Sequence, residues 1–198
     1  SHGKMPHMNA LTPEQLVIRK RGRRVLLLIF AMFFGSMALA GILRFSGWMP
    51  QVNRNHGQLF EPALDLRQEQ LRLADGSAYE WNPAARHWRI VLAPAADCAP
   101  ACVTLSQQLD TVWRLFGHNA DNVEILWLGM PPEQVVASPA LKVLQASPAL
   151  RAKLPGVDDP AGIPVYVIDP NGFVVLRYAP GFDPGGLRTD LSRLLKLK

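Results

Sequence analysis

Hydrophobic and polar residues follow three different rhythms along this chain. Residues 25–43, VLLLIFAMFFGSMALAGIL, are 19 residues without a charge. At about 1.5 Å per residue, a helix of that length crosses a hydrocarbon core of roughly 30 Å, so the stretch predicts a transmembrane helix. Farther along, short apolar runs bounded by turn residues predict strands over 87–94 (HWRIVLAP), 122–130 (NVEILWLGM), 163–169 (IPVYVID) and 173–179 (FVVLRYA). The last two flank Pro170-Asn171-Gly172 and read as a hairpin. Residues 59–82 read as short strands around an ADGS turn.

The third rhythm is helical. Leu105, Leu109, Val112, Trp113 and Phe116 predict a helix over 99–116 that Gly117 stops. Residues 138–154 predict another, interrupted at Pro148, and 183–198 a last one with Leu187, Leu191, Leu194 and Leu195 on its buried face. Alternating strands and helices predict an α/β fold, a mixed sheet with helices on both faces. The chain therefore divides into a tail (1–24), a membrane helix (25–43), a tether (44–58) and a folded domain (59–198). The opening SHGKMPHM reads as an expression-tag remnant, with a natural start expected at Met8.

Charge changes the picture by its distribution. Residues 1–44 carry seven Lys/Arg and one acid, a net +6, while the other 14 bases and 15 acids leave the rest at −1. The basic residues cluster as RKRGRR (19–24), just before the apolar run. The positive-inside rule then puts the N-terminus in the cytoplasm and residues 45–198 outside it, in a bacterium in the periplasm. The excess of bases is a topology signal, and no basic stripe suited to nucleic acid follows. A cleaved signal peptide, with Ala38 and Ala40 at its cleavage site, is the alternative reading of the same segment.

Candidate chemistry centres on DCAPAC (97–102), which holds both cysteines, Cys98 and Cys102. They stand where the 87–94 strand hands over to the following helix, the position of sites in open α/β sheets. Paired thiols outside the cytoplasm oxidise or bind metal, and thiols at a helix N-terminus gain reactivity. The plainer readings are a pair of buried small hydrophobes or a short structural staple. Side chains at i and i+4 of a helix have Cβ atoms about 5–6 Å apart, against about 3.8 Å for a disulfide, so Cys98 is expected at the cap, outside the helix. Two soft thiolates at this spacing also suit Cu(I). His87 and His118 are expected on the surface away from the cysteines, Trp127 in packing, Met130 either in packing or as a thioether donor on the site side, and Asp97 either beside Cys98 as a proton acceptor or as a solvated cap.

The thiol pair closing the first long strand, followed by GIPVYVIDPNG (162–172), resembles the thioredoxin superfamily. The Cys-x-x-x-Cys spacing, the single apolar segment and VYVIDPNGFVVLRYAPG (165–181) resemble more closely the Sco/SenC family, membrane-anchored copper-binding thioredoxin-fold proteins of cytochrome c oxidase assembly. The resemblance covers roughly residues 58–197. It implies a thioredoxin-like domain in which Cys98, Cys102 and Pro164 form the site, Pro164 being the cis-proline that faces the cysteines. It also implies a possible Cu(I) held by Cys98 and Cys102, and as partner a respiratory oxidase subunit or another assembly factor. The sequence departs from the family at Ala99 and Val103, and at Ala161, where the family's copper-ligating histidine would fall. The resemblance thus carries copper only to the two cysteines. Three functions follow for an inner-membrane protein with a periplasmic domain: a copper chaperone, a thiol–disulfide oxidoreductase of partner cysteines or of general range, and a non-redox docking module.

Overall fold

The computed structural model describes residues 12–46 and 55–197. The chain divides into two units, Ser1–Val52 and Asn53–Lys198. In the first, helix α1 spans Pro13–Phe45. Pro13 opens it at a position that needs no N–H, and the Gln15 side chain accepts a hydrogen bond from the Thr12 N–H at 3.2 Å. The apolar run expected over 25–43 is therefore part of a longer helix that takes in the basic cluster and Arg44. It is the one helix among the described residues long and apolar enough to cross a membrane. Most of the expected tether, residues 47–54, lies outside the described residues.

In the second unit, eight strands run in chain order: β1 Gln58–Asp65, β2 Leu71–Arg72, β3 Ala78–Tyr79, β4 Trp88–Leu92, β5 Val123–Leu128, β6 Leu141–Leu144, β7 Val165–Ile168 and β8 Phe173–Tyr178. Three helices join them: α2 Ala101–Arg114, α3 Pro148–Lys153 and α4 Pro184–Leu194. Six strands form one sheet in the order β1-β8-β7-β4-β5-β6, while β2 and β3 pair separately. β4 lies parallel to β5 and antiparallel to β7, so the sheet is mixed, as expected.

Side chains of the central strands alternate between two cores. Ile90, Leu92, Ile125 and Trp127 meet Leu105, Leu109, Leu187 and Leu191 of α2 and α4 on one face. Val91, Leu126 and Leu128 meet Leu71, Tyr79, Leu150 and Leu154 on the other. The two-residue period of a strand sends neighbours to opposite faces, which explains why both are covered. The second face also buries Arg89, 1 % exposed. Its Nε donates to the Tyr79 hydroxyl at 2.7 Å and its guanidinium to the carbonyls of Trp81, Asp169 and Pro170. The Tyr79 hydroxyl donates in turn to Glu124 at 2.5 Å.

The 138–154 segment corrects the sequence reading. In place of one helix it holds a strand, Leu141–Leu144, and a short helix, Pro148–Lys153. The strand lies parallel to β5 from Ile125↔Leu141 to Leu128↔Leu144. The Gln145 N–H also donates to the Arg72 carbonyl, and the Ala74 N–H to that of Val143. Long-range ladder bonds on both edges override a local helical pattern. Ser147 caps α3 by accepting from the Leu150 N–H, with Pro148 at its first position.

The β7–β8 hairpin forms as expected. The Asp169 side chain accepts from the N–H groups of Asn171, Gly172 and Phe173 at 2.9–3.0 Å. Gly172 is required twice over: its φ is +101°, and a Cβ there would stand 3.0 Å from the Trp81 ring.

Candidate functional site

β4 ends at Leu92, and six residues later the chain reaches Cys98. The Cys98 carbonyl accepts the Cys102 N–H at 2.9 Å, so Cys98 stands just before α2 and Cys102 within its first turn. Cys98 is half-buried and Cys102 is 0 % exposed, beneath α2 against the core. The two form a disulfide with Cα atoms 5.4 Å apart. Cys98 lies outside the helix as expected, but Pro100 and not Cys98 occupies the N-cap, so Cys98 precedes the cap by two residues.

Cys98 opens onto a cleft of about 460 Å³ whose far wall is the loop before β7, including Asp158, Asp159, Gly162 and Ile163. That loop is tied down from β8. Arg177 Nε donates to the Pro155 carbonyl at 3.1 Å, and its Nη2 to the Gly156 carbonyl at 3.0 Å and to Asp159 Oδ2 at 2.9 Å. The Tyr166 hydroxyl donates to the Pro155 carbonyl at 2.6 Å. The Ala161 N–H and the Arg177 guanidinium, both donating to Asp159, hold its carboxyl below the usual carboxylate range. Arg151, on α3, pairs with Asp158 at 2.5 Å from the same cleft. The sequence reading did not single out Arg151, Asp158, Asp159 or Arg177. The DDP run just ahead of GIP was the one local signal for any of them.

Pro164 requires a correction. It is buried at the entry to β7, but the Ile163–Pro164 bond is not cis. Among the described residues the cis bonds are Glu61–Pro62 and Ala99–Pro100, the second lying between the cysteines. The chain instead turns into β7 through Gly162, at φ +143°, which packs where a Cβ would come within 3.2 Å of Pro180. Glycine supplies a conformation that other residues rarely adopt. Gly162 and Ile163, rather than Pro164, line the cleft with Cys98.

The other residues separate cleanly. His118 is exposed beyond α2, as expected. His87 lies at the start of β4, the end opposite the cysteines, but it is not merely solvated: its Nδ1 stands 3.1 Å from Glu124 Oε1. Trp127 is in the core as expected. Met130, expected in packing or as a donor on the site side, is 87 % exposed and lines a second cleft beside Asp97. Gly129 at φ +92° ends β5 and turns the next residues out of the core.

The fold family suggested by the sequence implies copper, so the donor set decides what metal the site suits. Ala161, on the loop facing Cys98, offers no imidazole, and no group of three or more His, Cys, Asp or Glu suited to a metal occurs among the described residues. The two sulfurs, once reduced, fit a low-coordinate soft ion such as Cu(I) and do not fit Cu(II), which favours nitrogen.

A family model described as "Transmembrane-like, thioredoxin-like, C-terminal domain" matches residues 88–198, more than half of the chain. No curated protein matches the sequence. Among solved structures, yeast Sco1 with copper bound superposes with a TM-score of 0.52 at 15% identity, over 72% of this chain and 93% of that one. A SCO1/SenC family lipoprotein from Bacillus anthracis superposes with a TM-score of 0.50 at 14% identity, over 67% of this chain and 96% of the other. At these identities the likeness is one of fold.

Proposed function

Since this chain belongs to the transmembrane-like, thioredoxin-like C-terminal domain family, we propose that it is a membrane-anchored thiol–disulfide oxidoreductase acting through Cys98 and Cys102. The observation that carries the reading is the asymmetry of the disulfide: one sulfur opens on a cleft and the other is sealed at the first turn of α2. The reduced Cys98 thiolate attacks one sulfur of a partner disulfide, that S–S bond breaks, and the partner's other sulfur leaves as a thiolate. The Cys102 thiolate then attacks Cys98 in the mixed disulfide. The Cys98–Cys102 bond forms, and the partner's remaining sulfur departs with the electron pair. The partner gains two electrons and the pair loses two. The helix N-terminus favours the thiolate form of both sulfurs.

The exposed apolar helix and the basic cluster at its N-terminal side support a single-pass anchor with the cysteines outside the cytoplasm. The resemblance of the Cys-x-x-x-Cys spacing and of residues 165–181 to the Sco/SenC family supports cysteines of a respiratory oxidase subunit, or of another assembly factor, as the target. A second reading is favoured by the adjacency of the two sulfurs, one of them on the cleft: the reduced pair itself carries Cu(I).

The test is alkylation of the full chain in detergent after equilibration in a series of glutathione redox buffers. The pair is expected to interconvert between disulfide and dithiol over the series, with Cys98 modified before Cys102. A disulfide that no buffer opens, or thiols that stay unreactive once reduced, would overturn the exchange reading in favour of a docking module. A Cu(I) competition titration on the reduced chain decides the second reading. Uptake that is lost in Cys98→Ala and Cys102→Ala supports it, and no uptake removes it.

A further inference from the structure

Two clefts meet at the disulfide. The one containing Cys98 shares Pro94, Ala95, Asp97, Ala99 and the Arg151–Asp158 pair with a larger one of about 970 Å³ that continues toward the β5–β6 connection. Beyond the shared part, the walls of the larger cleft come from Met130, Pro131, Pro132, Ala146 and Pro148. Met130 holds a long apolar side chain in water at 87 % exposure. Methionine adapts its shape to irregular apolar partners. The prolines offer no backbone N–H, so an occupant is held by side-chain packing rather than by a β ladder.

The charges around the clefts are unequal. Asp158 is paired with Arg151, and Asp159 with Arg177. Asp97 immediately precedes Cys98, is exposed, and lines both clefts. No hydrogen bond or ion pair to it occurs among the described residues. An apolar groove thus runs up to a redox-active sulfur and ends on one unpaired negative charge.

We propose that this groove seats an extended segment of the protein whose cysteine exchanges with Cys98, with a basic side chain beside that cysteine on Asp97 and apolar side chains toward Met130 and Ala146. The proposal rests on the thiol-exchange reading and names what the partner must look like: cationic next to its cysteine, and apolar beyond.

The test uses the full chain carrying Cys102→Ser in detergent, so that Cys98 is the sole thiol. The probes are short peptides whose cysteine is joined to thionitrobenzoate. The Cys98 thiolate attacks the peptide sulfur, the peptide–thionitrobenzoate bond breaks, and the coloured thionitrobenzoate leaves with the electron pair. One peptide has lysine beside the cysteine and leucines beyond it, a second replaces the lysine with glutamate, and a third replaces the leucines with serines. Each rate is divided by that of the mercaptoethanol–thionitrobenzoate disulfide, which needs no groove.

The lysine–leucine peptide is expected to react fastest. Glutamate lowers its relative rate about threefold, the scale of an exposed ion pair. Serines lower it about tenfold, the scale of a leucine side chain partly withdrawn from water. Asp97→Asn removes the lysine preference and keeps the leucine preference. Ala146→Trp, which fills the groove, and Met130→Ser, which removes its apolar edge, do the opposite. Equal relative rates for all three peptides overturn the groove proposal while leaving exchange intact. No release even from the small disulfide overturns exchange, and the groove proposal with it.

Discussion

Arg177, on β8, holds Asp159 at 2.9 Å and thereby fixes the loop that forms the far wall of the Cys98 cleft. The same guanidinium donates to the carbonyls of Pro155 and Gly156, so one side chain spans the loop from its start to Asp159. A Cβ at Gly156, whose φ is +65°, would stand 2.8 Å from Arg177 Nη2, so the loop closes on the guanidinium at a glycine.

Arg177→Met is therefore expected to release the loop without unfolding the sheet. Hydrogen exchange of the amides from Gly156 to Gly162 should quicken, and Cys98 should alkylate faster in the reduced chain. The carbonyls freed are close to water, so the stability loss should stay near 1 kcal/mol, the net worth of a hydrogen bond. Unchanged exchange in the loop would show that Tyr166 alone suffices to hold it.

Glu124 makes folding sensitive to acid. Burial pushes its carboxyl up, but the Tyr79 hydroxyl, the Lys142 ammonium at 2.9 Å and His87 outweigh that and hold it below its ordinary 4.5. A group whose folded value is depressed contributes stability above its unfolded value and loses that contribution as pH falls through the folded one. The stability difference between the wild type and Glu124→Gln should thus be constant at neutral pH and shrink below about pH 4.5. Urea denaturation of both proteins at pH 7 and pH 3 measures it. A difference that does not change over that range would remove Glu124 as the source.

Arg89→Leu is expected to cost about 3 kcal/mol, because it removes the buried cation and leaves the Tyr79–Glu124 pair and three carbonyls without their donor. The urea midpoint reads the loss. Arg89→Lys should recover only part of it, since an ammonium cannot reach the Tyr79 hydroxyl and those carbonyls together in the fork geometry of a guanidinium. Full recovery by lysine would mean that the charge, and not the geometry, is what the site requires.

Much of this protein was written in local patterns. β4 followed by the cysteines and α2, the Pro170-Asn171-Gly172 hairpin and the leucine face of α4 each depend on neighbours within a few residues, and each formed as expected, while the apolar run became part of a longer helix. Cys98 and Cys102 were identifiable as a pair because they stand four positions apart at a strand-to-helix junction. Tertiary structure decided what distant partners control. Residues 141–144 became a strand because β5 and the segment after β2 bond to its two edges, which no local window contains. The turn into β7 was set by Gly162 against Pro180 rather than by a cis bond at Pro164. Met130 points into water because the chain leaves β5 through Gly129, although an apolar residue ending a buried strand reads as core. The cleft walls follow the same rule. Asp97 is far in the chain from Asp158 and Ile163 and meets them only because β4 and β7 lie side by side, so which carboxylate stays unpaired next to Cys98 is a property of the fold.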